Sequence, residues 1–146
     1  MTDITIKPIE KTHLAHVAEV EKACFAAPWS EISLGLLLTD SNGGLVALDG
    51  ERAVGYVGYL CAVDEYEITN VAVDPEYRRR GIGESLLSAL LTRARENGIV
   101  RVTLDVRVSN TPALALYQKL GFASCGTRKN FYSSPREDAQ VMELLI

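Results

Sequence analysis

The sequence predicts an α+β domain: a mixed, mostly antiparallel sheet flanked by helices. Three observations carry that expectation. Asp49-Gly50 separates two apolar runs, the strongest short-range sign of a β-hairpin. A further apolar run ends at Asp74-Pro75 and passes through an Arg- and Gly-rich loop into a helical pattern. Clean alternation over residues 100–106 is followed by Asn110-Thr111-Pro112, a helix start with proline in its first turn.

Each element follows in chain order. Residues 3–9 alternate polar and apolar and read as a strand. Leu14, Val17, Ala18, Glu21 and Phe25 recur at helical spacing, and Pro28-Trp29 ends that helix. Ser30 is a plausible N-cap for a second helix reaching about Thr39. Residues 40–44 (DSNGG) read as a loop. LVAL, the run Ala53 to Val63 and the run Tyr66 to Val73 form a three-stranded meander, with Asp64-Glu65 as its second turn. Ile82, Leu86, Ala89, Leu90 and Ala94 mark a helix that Asn97-Gly98 ends. Residues 100–106 are a strand. Ala113, Leu116, Tyr117 and Leu120 form the apolar stripe of a last helix, which Gly121 closes. Residues 122–127 and 139–145 read as the final strands, giving the order β-α-α-β-β-β-α-β-α-β-β.

Composition bounds the function. The 146 residues fit one domain, residues 1–146. At 47% hydrophobic and 23% charged, the chain is expected to be globular rather than disordered, collagenous or coiled-coil. With 15 basic against 19 acidic residues, the net charge of −4 argues against nucleic acid as a partner. No apolar run approaches the roughly 18 residues of a membrane span. The opening MTDITIKPIEK lacks a signal pattern, so a cytoplasmic location is expected, with no membrane partner. Cys24, Cys61 and Cys125 are far apart and form no CxxC pair; they read as buried or half-buried free thiols. His13 and His16 lack the HExxH pattern and read as solvated helix positions, so no metal is expected.

The stretch NVAVDPEYRRRGIGE (Asn70 to Glu84) carries the chemistry. Gly81 and Gly83 remove side chains where a helix begins. The first N–H groups of a helix have no intrahelical partner, and the helix dipole favours an anion there. A pyrophosphate suits such a site. Arg78, Arg79 and Arg80 add positive charge at the same end, and the alternative is a polar turn with its arginines in solvent. The spacing is not that of a P-loop, and a dinucleotide fingerprint is weak.

Arg78-x-x-Gly81-x-Gly83, after an apolar strand ending Val-Asp-Pro, resembles the acetyl-coenzyme A loop of the GCN5-related N-acetyltransferases (GNAT). LDVRVSNTPALALYQKLGF (Leu104 to Phe122) resembles that family's next strand and helix. FAAPWSE, VRVSN, RKNFY and REDAQVM resemble its RimI-type branch, which acetylates the N-terminal alanine of small-subunit ribosomal protein 18. The resemblance implies a GNAT fold, acetyl-CoA as co-substrate without a metal, and a ribosomal protein N-terminus as acceptor. It implies backbone contacts to pantetheine and thioester from Val71, Ala72 and Val73. The N–H groups of Arg79, Arg80, Gly81, Ile82, Gly83 and Glu84 would hold the pyrophosphate, and Asn110 would contact the cofactor. Tyr117 would be the general acid, against a packing role on its apolar stripe.

The branch's general base is a glutamate at the position of Asp105, which is one methylene shorter. Glu67 is a second candidate base. Trp29 and Tyr132 would line the acceptor groove, with Trp29 also a packing anchor. No cysteine falls at a motif position, which favours direct transfer over an acyl-enzyme. Two other readings stay open: the same fold acting on a lysine, polyamine or small-molecule amine, and a non-catalytic acyl-CoA sensor or partner subunit.

Overall fold

A computed structural model describes residues 3–146; Met1 and Thr2, which open the stretch without a signal pattern, lie outside the described residues. The elements are β1 (Ile4–Pro8), α1 (Leu14–Cys24), α2 (Glu31–Leu34), β2 (Gly43–Asp49), β3 (Arg52–Ala62), β4 (Glu65–Val73), α3 (Ile82–Glu96), β5 (Arg101–Arg107), α4 (Thr111–Lys119), β6 (Ala123–Tyr132) and β7 (Glu137–Leu145). Single 3₁₀ turns occupy Lys11–His13, Gly35–Leu38 and Pro75–Tyr77. The order is the one the sequence predicts.

Seven strands form one sheet in the order β1-β2-β3-β4-β5-β7-β6. β4 and β5 are parallel, because α3 crosses over between them, and the other neighbours are antiparallel. Alternate strand residues feed opposite faces. Leu45, Ala47 and Val57 pack with Leu86, Leu87 and Leu90 of α3. Val46, Leu48 and Tyr56 pack with Val17 and Val20 of α1 and Leu34 of α2. The sheet is thus covered by α1 and α2 on one face and by α3 on the other.

The differences from the sequence reading have local causes. Gly43 and Gly44 lie in β2, not in a loop. A Cβ at Gly44 would sit 2.7 Å from the Val57 carbonyl, so these glycines serve close strand approach. The second helix starts as expected, with the Ser30 hydroxyl accepting the Ser33 N–H, but tightens into a 3₁₀ turn before Thr39. Phe25 leaves the helical stripe as an extended C-cap. The second turn of the meander is Val63-Asp64, with Val63 left-handed at φ 58°. β6 and β7 run further than expected, to Tyr132 and from Glu137. β6 is a sheet edge exposed from Ala123 to Phe131, so no apolar alternation marks it. Cys125 is exposed, whereas Cys24 and Cys61 are half-buried. Both histidines make backbone contacts: His13 Nδ1 accepts the Glu10 N–H at 3.0 Å and His16 Nδ1 the Ala53 N–H at 3.5 Å.

Candidate active site

The β4/β5 ladder pairs only Glu65, Tyr66 and Glu67 with Arg101, Val102 and Thr103. Both strands continue beyond it, to Val73 and Arg107. They therefore splay, and among the described residues β4 from Ile68 to Val73 has no strand partner on its β5 side. Near the splay the β3/β4 register passes from Gly58–Asn70 to Tyr59–Ile68, leaving Thr69 as a bulge. A Cβ on Gly58 would lie 2.8 Å from the Thr69 hydroxyl oxygen and 2.7 Å from a Leu37 methyl, so this bulge needs glycine opposite it.

Beyond the end of β4 lies a cavity of about 260 Å³, lined by Val73, Tyr77, Arg78, Arg79, Gly81 to Glu84 and Leu116. Gly81, left-handed at φ 74°, is the N-cap of α3 and offers no side-chain cap. The N–H groups of Ile82, Gly83 and Glu84 are thus left for an external acceptor. Arg79 is also left-handed, at φ 65°. Left-handed residues within a turn gather successive N–H groups into an anion-binding concavity. A Cβ at Gly81 would meet nothing within 4 Å, and one at Gly83 only Val73, so the cradle is open. The Glu84 carboxylate is turned to Lys119 Nζ at 2.8 Å.

The arginines divide. Arg79 lines the cavity. The Arg78 guanidinium donates to the Val73 carbonyl and Cys24 Sγ, each at 3.4 Å. Arg80 stacks on the Tyr77 ring at 4.8 Å and donates to the Glu76 carbonyl. Asn110 caps α4, its side-chain oxygen accepting the Ala113 N–H at 3.3 Å.

At the other end of the splay is a cavity of about 410 Å³, and Glu67 and Asp105 both line it. Arg128 reaches across β7 and donates from Nε to Asp105 Oδ1 at 3.1 Å. No side-chain hydrogen bond or ion pair among the described residues involves Glu67. Tyr117 is buried beside Phe122, ring edge to face at 5.9 Å. Burial, and then the nearby Tyr132, push its pKa up to about 12, so its hydroxyl keeps its proton. Tyr117 lines neither cavity. Tyr132 lies under the Arg107 guanidinium at 4.4 Å, and burial and then Asp105 raise its pKa. Trp29 is half-buried, packs on the α1 side of the sheet and donates its backbone N–H to Glu21 Oε2 at 2.9 Å.

Sequence reasoning placed Glu21 on the apolar stripe of α1 without a role. It is fully buried, and its Oε1 accepts from the Tyr56 hydroxyl and from Asn70 Nδ2. The signal was a charge among core positions. Arg128 opens the RKNFY segment, but its ion pair with Asp105 gave no signal, because that partner is two strands away.

Comparison with known proteins agrees with this geometry. Residues 14–122 match the model of the acetyltransferase (GNAT) family. A putative ribosomal protein bS18-alanine N-acetyltransferase of Bacillus subtilis is 35% identical, over 99% of this chain and 97% of its own. The bS18-alanine N-acetyltransferase of Escherichia coli K12 is 33% identical over 97% of each chain. The crystal structure of the ribosomal-protein-S18-alanine N-acetyltransferase from Escherichia coli superposes with a TM-score of 0.93, covering 99% of this chain and 94% of that one. Ard1 from Thermoplasma volcanium superposes at 0.89 with 26% identity, covering 98% and 97%.

Proposed function

The chain belongs to the GNAT family of acetyltransferases, and from that premise we propose that it acetylates the N-terminal alanine of small-subunit ribosomal protein 18. It is an N-acetyltransferase that uses acetyl-CoA. The observation that carries the reading is the splay of β4 from β5, with an open anion cradle beyond one end and two carboxylates at the other. Near full-length similarity to bS18-alanine N-acetyltransferases supports the acceptor. On this reading residues 1–146 act as one domain in the cytoplasm, without nucleic acid or membrane as a partner. No helix among the described residues is long and apolar enough to cross a membrane.

The cradle residues fit acetyl-CoA. The N–H groups of Arg79 to Glu84 hold the pyrophosphate, and the Arg79 side chain adds charge beside it. Of Val71, Ala72 and Val73, the first and last turn their backbone groups to the unpaired edge of β4 while Ala72 between them pairs with Tyr56 of β3, and the Asn110 amide nitrogen remains free to donate while its oxygen caps α4. Bound there, acetyl-CoA supplies an acetyl thioester. Asp105 accepts a proton from the attacking α-amine, and Tyr117 Oη holds the proton that the leaving thiolate needs. Trp29 and Tyr132 border the acceptor. Transfer is direct, with no acyl-enzyme.

The acceptor's own chemistry favours an N-terminus. An α-amine with a pKa of about 7.7–8.0 is roughly 10–15% neutral at pH 7, whereas a lysine amine near 10.4 is less than ~0.1% neutral. A short carboxylate such as Asp105, working directly or through a bridging water, suffices for the first and serves lysine poorly. One observation favours a second reading of the base. Arg128 holds Asp105 Oδ1, while Glu67 lines the same cavity without an ion pair among the described residues.

The test is thiol release from acetyl-CoA with a peptide carrying the N-terminus of ribosomal protein 18. The control blocks the α-amine and leaves any lysine free. Turnover only with the free α-amine is expected. Turnover of the blocked peptide moves the acceptor to lysine, and acetyl-CoA binding without any turnover discards this acceptor.

A further inference from the structure

We propose that Glu21 is a positioning residue that fastens the acceptor-side loop, residues 25–30, to the thioester-side half of β4. The inference rests on the acceptor reading above and adds to it a residue outside the reacting groups.

Glu21 is fully buried on α1. A lone carboxylate at such a place is strongly disfavoured, and an aliphatic side chain would fill this stripe position without desolvation cost. What the carboxylate adds is a link between three segments. Oε1 accepts from the Tyr56 hydroxyl of β3 and from Asn70 Nδ2 of β4, the latter at 2.8 Å. Oε2 accepts the Trp29 backbone N–H at 2.9 Å. Asn70 Nδ2 also lies 3.1 Å from Tyr56 Oη, which closes the network. All the partners of the carboxylate are donors, as its lone pairs require. Burial first, and then Glu21, hold the Tyr56 hydroxyl protonated far above its ordinary range.

The same turn of α1 grips β4 a second time. Cys24 Sγ donates to the Val73 carbonyl at 3.3 Å. Asn70 adjoins, and Val73 ends, the stretch Val71 to Val73, whose backbone is given to pantetheine and thioester on the reading above. The Trp29 loop and that backbone are therefore referred to one side chain, and the acceptor approaches a thioester held in a fixed relation to its groove.

The experiment uses the full chain and its single tryptophan, Trp29. In Glu21→Gln one carboxylate oxygen becomes an amide nitrogen that donates, so one face of the link loses its acceptor. The expected result is an acceptor KM at least fivefold higher, with the acetyl-CoA KM and kcat within twofold of the parent. Acrylamide quenching of Trp29 fluorescence rises at least twofold in the variant without ligands. An unchanged acceptor KM overturns the proposal. So does a parallel rise in both KM values, the mark of general loosening. If Glu21→Gln does not fold, the double variant E21L/Y56F removes the carboxylate and the hydroxyl while keeping apolar packing, and carries the same expectations. If the parent turns over no alanine peptide, the acceptor reading fails on its own. The quenching comparison then decides: parent-like quenching in the variant overturns the link.

Discussion

Asp105 and Glu67 line one cavity, but among the described residues only Asp105 carries a cation, Arg128, on a carboxylate oxygen. With Asp105 as base, Asp105→Asn lowers kcat/KM for the alanine peptide by about 10²-fold or more, the usual share of a general base, while Glu67→Gln costs a few-fold. The reverse ranking, from the same assay, assigns the proton to Glu67. Tyr117→Phe keeps the ring against Phe122 and removes only the hydroxyl, so kcat falls by about 10²-fold with acetyl-CoA affinity kept. Its burial adds a stability signature with a definite sign. The folded pKa, about 12, stands above the ordinary 10.0. Tyr117 therefore stabilises the fold fully below pH 10, and that contribution is lost as the pH rises through 12. Between those values the parent's denaturation midpoint should fall more steeply than that of Tyr117→Phe. Asp105 and Tyr117 could be singled out because both sit inside one long motif, Leu104 to Phe122, whereas Glu67 lies outside the motifs on the preceding strand. The role of Arg128 was not legible, although it opens RKNFY, since nothing local announces an ion pair reached across β7, and Glu21 was visible only as a charge in an apolar stripe.

Elements carry the site through backbone geometry. The α3 N-terminus is open because Gly81 is left-handed and brings no cap. Gly81→Ala meets no atom within 4 Å, so its cost is the conformational one of a side chain at left-handed φ, about 1–2 kcal/mol, or a Tm lower by roughly 2–8 °C. Its expected kinetic effect is a raised acetyl-CoA KM with the acceptor KM unchanged. Gly58→Ala acts differently: the new methyl meets Leu37 and the Thr69 bulge, so it destabilises by roughly 1–3 kcal/mol. Denaturation midpoints of the two variants check the contrast, and equal losses would refute the distinction between strain and clash. The helix starts at Ser30 and Asn110 were readable because capping chemistry is local. The bulge at Thr69 was not, because it arises from a partner strand. The polar edge strand β6 was truncated in the sequence reading for a related reason: with no buried face, alternation has nothing to record.

At the scale of the molecule, the order of elements follows from the sequence, but the insertion of β7 between β5 and β6 does not. That pairing is non-local and leaves no periodic trace. It matters because it makes β5 an internal strand, paired to β7 along its whole length and to β4 along three residues. Two antiparallel blocks, β1 to β4 and β5 to β7, thus meet through a short parallel ladder and diverge into a cleft. A ligand lodged there replaces the missing ladder for β4 and supplies an acceptor to the loop of Arg79 to Glu84. Local opening of those segments should then be suppressed. In hydrogen exchange, saturating acetyl-CoA is expected to slow amides of residues 70–73 and 79–84 by at least tenfold. Amides on the outer edge of β6 should keep their rates, since that edge is separated from β5 by β7 and only side chains of β6 such as Arg128 reach the cavity. Uniform slowing across the sheet would mean that ligand acts only through global stability. Protection confined to β6 would move the binding site away from the cleft altogether.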